Sequence, residues 1–345
     1  MRTFSGHWTA TAIGSLPHTD AVEACRLTLD CLEEAPAWPQ LPRRSFLENM
    51  YVQYSEGLPG RVVDVEERRI WCEDLESHWE EVEAFLRDSE EGKVERFPIS
   101  PDYAAGLHAF VSRVSEGERD YPILKGQVTG PFSFGLTVTD AAGRPIIYND
   151  TYADVVVRLL GAKARWMRDL LASTGRTGRV LVFFDEPYLS MVGSALVSVQ
   201  PEFVVEALDR CVEAADCLTG VHCCGNTDWS LLLRTRVDIV NFDAYEYLEN
   251  LALYPRELTA FLERGGMLAW GVVPNDHRVE GETISGLRER LEEGLTLLEK
   301  KGVPSSLLDR GMFITPSCGM EGTDEETAAS VYRMLEGLAR ELNRG

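Results

Sequence analysis

The chain has 345 residues, of which 44 % are hydrophobic, with 29 glycines and 16 prolines. These ordinary values exclude disorder, collagen-like repeats and a disulfide-stapled miniprotein, and the length suits two domains or one α/β barrel with insertions. Against 34 Lys and Arg stand 56 Asp and Glu, a formal charge of −22, so nucleic acid and anionic membrane surfaces are poor partners without a local basic patch, and the sequence has none. No window approaches the roughly 18 unbroken apolar residues of a membrane span, and MRTFSGHWTATAIG lacks the layout of a signal peptide. The expectation is a cytoplasmic protein whose eight cysteines are reduced.

In chain order, β-rich runs that are apolar almost throughout alternate with helical patterns. The predicted strands are 8–14, 121–128, 179–185, 219–223, 237–242, 267–273 and 312–316, with a weaker eighth near VERFPIS at 94–100. Continuous apolar runs of this kind are expected of parallel strands buried on both faces. Helices are predicted over 20–34, 149–173, 201–216, 247–264, 284–301 and 324–343, where apolar residues recur at three- and four-residue spacing. The alternation predicts a (β/α)8 TIM barrel. Residues 36–100 break the rhythm and read as an insertion after the first helix, with room for a hairpin. With no repeat, linker or shift of composition, 1–345 reads as one domain.

Reactive residue types cluster at predicted strand ends: Gly14-Ser15, Asp185-Glu186, His222-Cys223-Cys224, Asp243, Asn275-Asp276 and Ser317-Cys318. In a closed parallel barrel these ends share one face, where active sites sit. His222 and Cys224 are two apart, so an extended backbone turns both to the same side. With Cys318 and the carboxylate of Asp243 they form a tetrahedral set suited to Zn2+. Cys223 points the other way, toward a helix. Cys25, Cys31, Cys211 and Cys217 fall in amphipathic patterns and read, with Cys72, as packing residues. Asp185 is placed to hold a substrate ammonium, Glu186 to hydrogen-bond structurally, and the Gly14-Ser15 turn to receive a carboxylate. His18 and His277 are weaker candidates in loops on the same face.

The motifs TAIGSLPHT, KGQVTGP, FFDEP, HCCGN, VDIVNFD and ITPSCGM together resemble the catalytic barrel of the cobalamin-independent methionine synthase family. That family lies in a superfamily with uroporphyrinogen decarboxylase and the methylcobamide:thiol methyltransferases. The resemblance runs from about residue 8 onward, poorly over 36–100, and lacks a counterpart of the long enzymes' N-terminal barrel, as in short archaeal relatives. It implies a zinc-dependent transfer of a methyl group to the thiol of homocysteine, giving methionine. It places zinc on His222, Cys224, Asp243 and Cys318, and the amino acid on Ile13, Gly14, Ser15 and Asp185. Where the family has a Trp-Ser folate platform this chain has PFSFG, and where it has a Tyr-Asp-Ile-His proton donor this chain has Val273-Pro274-Asn275-Asp276 followed by His277.

Asp276 and His277 are therefore the candidate catalytic acids for a methyltetrahydrofolate donor, while methylcobalamin or a corrinoid protein, which leaves without protonation, is the favoured donor. Two other outcomes stay open: a coenzyme M type methyltransferase, and a non-catalytic corrinoid- or partner-binding barrel whose zinc is structural. A metal-free decarboxylase is disfavoured by the ligand set.

Overall fold

The computed structural model describes residues 6–194 and 197–344. Its strands are β1 (Thr9–Ala10), β2 (Arg61–Asp64), β3 (Arg69–Cys72), β4 (Tyr121–Thr129), β5 (Thr139–Asp140), β6 (Thr177–Asp185), β7 (Leu218–Cys223), β8 (Ile239–Phe242), β9 (Met267–Val273) and β10 (Phe313–Pro316). Seven form a curled parallel sheet in the order β1-β10-β9-β8-β7-β6-β4. Helices fill the connections, as right-handed βαβ crossovers require.

The sheet does not close into a regular barrel. Between its edges runs the segment 34–40, which bonds to both without forming a continuous strand. On one side Ile123 N–H donates to Glu34 O and Lys125 N–H to Pro36 O, each at 3.0 Å; on the other, Gln40 N–H donates to Gly14 O at 3.0 Å. Pro36, Pro39 and Pro42 remove the donors that a regular ladder needs. Two expectations change accordingly. Residues 36–40 occupy the eighth place and are not part of an insertion. The 94–100 stretch is not a strand: Val94–Arg96 is a 3₁₀ turn, and the strand-like alternation that follows reflects burial of Phe97 and Ile99 around Pro98.

The remainder of the irregular region holds the predicted hairpin. β2 and β3 pair antiparallel, and β5 joins β3 in a separate three-stranded sheet. Two helices, Trp79–Glu90 within it and Ala105–Glu116 just after it, escaped the sequence reading. The helix predicted over 247–264 is divided into Leu248–Leu251 and Pro255–Glu263, because Pro255 cannot continue a helix begun before it.

Elsewhere the starts follow side-chain capping. Asp20, Asn149, Thr283 and Asp324 each accept a backbone N–H in the first turn of the helices at 21–31, 150–172, 284–300 and 325–342. The main core lies between sheet and helices, and a second cluster, Ala35, Leu181, Phe183, Ile239, Ala269 and Phe313, fills the inside of the curled sheet. Among the described residues no helix is long and apolar enough to cross a membrane.

A cation is buried where the 150–172 helix packs against the core. Lys163, fully buried in the 150–172 helix, donates to Pro98 O at 2.9 Å, and burial pulls its ammonium down to about 7. Because the folded group gives up its proton below the usual lysine range, the unfolded chain binds more protons between about pH 7 and 10. Stability contributed by this site therefore rises with pH across that window, on the scale of about 1.4 kcal/mol per pH unit of displacement. Lys163→Met should raise Tm near pH 7 and flatten this rise. Melting curves at pH 6.5, 8 and 9.5 check it, and a variant less stable than the parent at pH 6.5 would contradict it.

Candidate metal centre and pocket

The lateral register of the sheet builds the site. Thr129, Asp185, His222, Asn241 and Ala269 are successive partners across β4, β6, β7, β8 and β9, one row through five strands. Residues in register on parallel strands share a face, so Asp185, His222 and Asn241 point together. Cys224 follows His222 by two residues, and Cys318 lies two residues beyond the end of β10.

The donor atoms of His222, Cys224 and Cys318 lie within 4.8 Å of one another. Cys318 Sγ is 3.7 Å from His222 Nε2, close to the separation of about 3.6 Å between sulfur and nitrogen ligands of a tetrahedral zinc. His222 Nδ1 contacts Asn241 Oδ1. Asn241 Nδ2 donates to Ala269 O and to Thr315 Oγ1, each at 2.8 Å, so its carbonyl oxygen is the atom that faces the ring. A carbonyl oxygen only accepts; His222 Nδ1 therefore carries the proton, and the Nε2 lone pair faces the sulfurs. The hydrogen bond from Cys318, with His222 beside it, holds the Cys224 thiol low, toward about 4, while Cys318 is raised well above the usual thiol range by the same partner. The cluster could hold a metal ion, and two sulfurs with one imidazole fit zinc.

Asp243 is not part of this cluster. Its Oδ1 accepts the N–H of Glu246 at 2.9 Å, and burial pushes its carboxyl up to about 6. Cys223 is fully buried with Sγ toward Gly225 O, away from its neighbours. The exposed His277 ring is engaged by Glu280 at 3.1 Å and Asp324 at 3.4 Å, and Asp276 pairs with Arg278 at 2.9 Å. Neither lines the pocket described next, nor does His18, which is buried.

That pocket, of about 280 Å³, brings together Ile13, Ser15, Asp185, His222, Cys224 and Cys318. Asp185 is buried, its Oδ1 has no hydrogen-bond partner, and burial pushes its carboxyl up to about 6 against the pull of His222 and Lys125. Glu186 turns away, accepting Phe132 N–H at 2.9 Å and Ser133 N–H at 2.7 Å at the start of the 131–137 helix. Gly14 adopts φ +146°, and a Cβ there would lie 2.3 Å from Gln127 Nε2, so the turn carrying Ile13 and Ser15 requires glycine.

Four contributors escaped the sequence reading. Asn241 was visible as the polar residue inside VDIVNFD. Lys125, fully buried, donates to Ile13 O at 2.8 Å and sits 4.4 Å from the centre of the Phe183 ring; its signal was a charge inside an apolar strand. Glu48 and Glu321 also line the pocket, and nothing in their local spacing marks them.

Metal content separates these placements. Purified protein should carry one equivalent of zinc; Cys224→Ser and Cys318→Ser should each lose most of it, and Cys223→Ser should keep it. Asp243→Asn should also retain it, because this carboxylate is occupied with its own loop. Loss of zinc in Asp243→Asn alone would restore Asp243 as a ligand.

No protein-family model matches the chain, and no curated protein matches it in sequence. Among solved structures, a methyltransferase from Methanosarcina mazei aligns over 99 % of this chain and 94 % of its own, with a TM-score of 0.56 at 11 % identity. A B12-independent methionine synthase from Shewanella sp. W3-18-1, solved in complex with selenomethionine, aligns over 68 % of this chain and 67 % of its own, with a TM-score of 0.46 at 18 % identity. The first of these likenesses shows a common fold; the second is too loose to carry an argument.

Proposed function

We propose that the protein is a zinc-dependent S-methyltransferase that methylates the thiol of homocysteine to give methionine. The observation that carries this reading is the meeting of two thiols and a tautomer-fixed imidazole in a pocket that also holds the unpartnered Oδ1 of Asp185. His222, Cys224 and Cys318 would hold the metal. When bound there, zinc keeps an acceptor sulfur deprotonated at neutral pH, where a free thiol with pKa near 8.5 is mostly protonated.

The residues of the chain place the acceptor. Asp185 receives its ammonium through the free oxygen, and the carboxylate end lies toward the Ile13-Gly14-Ser15 turn, whose Ser15 hydroxyl is already bonded to Glu321. Lys125 steadies that turn through Ile13 O. In the transfer a sulfur lone pair forms the new S–C bond while the donor–carbon bond breaks, and the broken bond's electron pair leaves with the donor.

A methylcorrinoid accepts that pair without a proton, and two placements favour it. Asp276 and His277 stay in ion pairs outside the pocket, and Phe132 and Phe134 are fully buried, which leaves neither as a stacking surface. A second reading, with methyltetrahydrofolate as donor, has one observation in its favour: Tyr51, on the pocket wall, lies with its ring centre 6.4 Å from that of Tyr188, an aromatic pair able to take a flat ring. A coenzyme M type acceptor has no ammonium for Asp185. A purely structural zinc site is closed by four strong ligands, which this three-donor cluster beside a pocket does not resemble.

Steady-state kinetics test the assignment. Asp185→Asn should lower kcat/KM for homocysteine about 30-fold, mainly through KM, the loss of a charge-assisted bond of about 2 kcal/mol, at unchanged zinc content. With zinc present and donors at equal concentration, methionine should form faster from methylcobalamin than from methyltetrahydrofolate. Turnover with the folate alone would favour the second reading, and no methionine from either donor would overturn the assignment.

A further inference from the structure

The pocket holds more negative charge than one ammonium calls for. Asp185, Glu48 and Glu321 line it, and among the described residues no lysine or arginine does. Glu48 is matched by Arg44 at 2.8 Å. Asp185 Oδ1 is buried without a hydrogen-bond partner, as is the second oxygen of Glu48, Oε2. Glu321 remains, and its Oε2 accepts the hydroxyl of Ser15 at 2.6 Å, the contact that an anionic group of an acceptor would otherwise make.

The loop that carries Glu321 is strapped in place. Met320 N–H donates to Ser15 O at 3.0 Å, Asn275 Nδ2 donates to Gly319 O at 2.7 Å, and Ser317 Oγ donates to Asn275 Oδ1 at 2.9 Å. Gly319 packs so closely that a Cβ there would lie 2.0 Å from Ser15 Oγ. These bonds hold the backbone of 317–320 against the Ser15 turn, and Glu321, itself exposed, reaches the Ser15 hydroxyl with its side chain at the rim of the pocket.

We propose that Glu321 sets the charge class of the acceptor: by occupying the Ser15 hydroxyl and fixing a negative charge beside it, it makes the pocket select thiols that carry an ammonium and reject thiols whose only charge is an anion. This rests on the thiol-acceptor reading above and assigns a residue which that reading does not use. Asp185 attracts the ammonium; Glu321 repels the anion. The two effects fall on different ends of the acceptor and are therefore separable.

Three thiols of similar length separate them: homocysteine, 3-aminopropane-1-thiol, which lacks the carboxylate, and 4-mercaptobutanoate, which lacks the ammonium. Titrating each into cobalt-loaded protein and following the sulfur-to-cobalt charge-transfer band gives binding without turnover. The parent should bind 3-aminopropane-1-thiol at least as tightly as homocysteine, and 4-mercaptobutanoate at least 30-fold more weakly. Glu321→Gln should tighten 4-mercaptobutanoate about 10-fold and leave 3-aminopropane-1-thiol within 2-fold, whereas Glu321→Asp, which keeps the charge, should stay near the parental ranking. Asp185→Asn should weaken the two amines and spare 4-mercaptobutanoate. Equal changes for all three thiols in Glu321→Gln would overturn the proposal and leave the thiol-acceptor reading standing. If no thiol perturbs the cobalt spectrum, that reading falls and the proposal with it.

Discussion

The hydrogen bond between His222 and Asn241 is the constraint on which the site depends. An imidazole directs a lone pair at a metal from one nitrogen only when the other carries the proton, and Asn241 enforces that choice by offering an acceptor. Asn241 can do so because Ala269 O and Thr315 Oγ1 occupy both its donors. Four consecutive strands, β7 to β10, thus fix one tautomer. A one-residue slip at any of these pairings would send the polar groups to the opposite face and the apolar ones inward. The orientation of the site is therefore a property of the sheet, which is why it can be held by a sheet that does not close.

A second coupling lies beneath the pocket. Lys125 and Asp185 stand on neighbouring strands in the same apolar interior, and burial drives them toward neutrality from opposite sides, the lysine down to about 8 and the aspartate up to about 6, while each favours the charged form of the other. Lys125 also donates to Ile13 O, and the Gly14 turn packs against Gln127. The acid, the turn and the lysine consequently behave as one unit. A change at Lys125 would reach the pocket through both the position of Ile13 and the charge balance at Asp185, without any contact between Lys125 and a substrate.

How much of this the sequence disclosed depended on distance from an apolar run. The strands from β4 to β10 in the parallel sheet stand out because burial on both faces leaves them mostly apolar, with a few polar residues such as Lys125 and Asn241 inside, and MLAWGVV was located to the residue. The eighth place was hidden because PAWPQLP carries three prolines and bonds to its neighbours through scattered groups; the pattern is that of a loop where the fold uses a strand position. Lys125 and Asn241 were readable as polar residues inside strands, yet what each bonds comes from lateral register between strands distant in sequence. Glu321 was beyond reach, since its meaning comes from Ser15, 306 residues earlier.

The same argument explains why the expected proton donors stand apart from the cluster. Asp185 ends β6, His222 is the penultimate residue of β7, and Cys224 and Cys318 lie one and two residues past their strands, so the strand sets where their side chains go. Asp276 and His277 lie three and four residues past Val273, the end of β9, beyond the reach of that control. Their orientation is decided instead by Arg278, Glu280 and Asp324, which hold them among surface charges. Asp243 marks the boundary: it is one residue past β8 and aligned by parity with Asn241, but the N–H of Glu246 in the following turn claims its carboxylate. On the proposed reading, the sheet fixes the groups that would activate the sulfur, whereas handling of a methyl donor would belong to loops. A donor that needs no proton would place the smaller demand on such loops, and this asymmetry is the physical reason why the proposed reading favours a corrinoid over a folate.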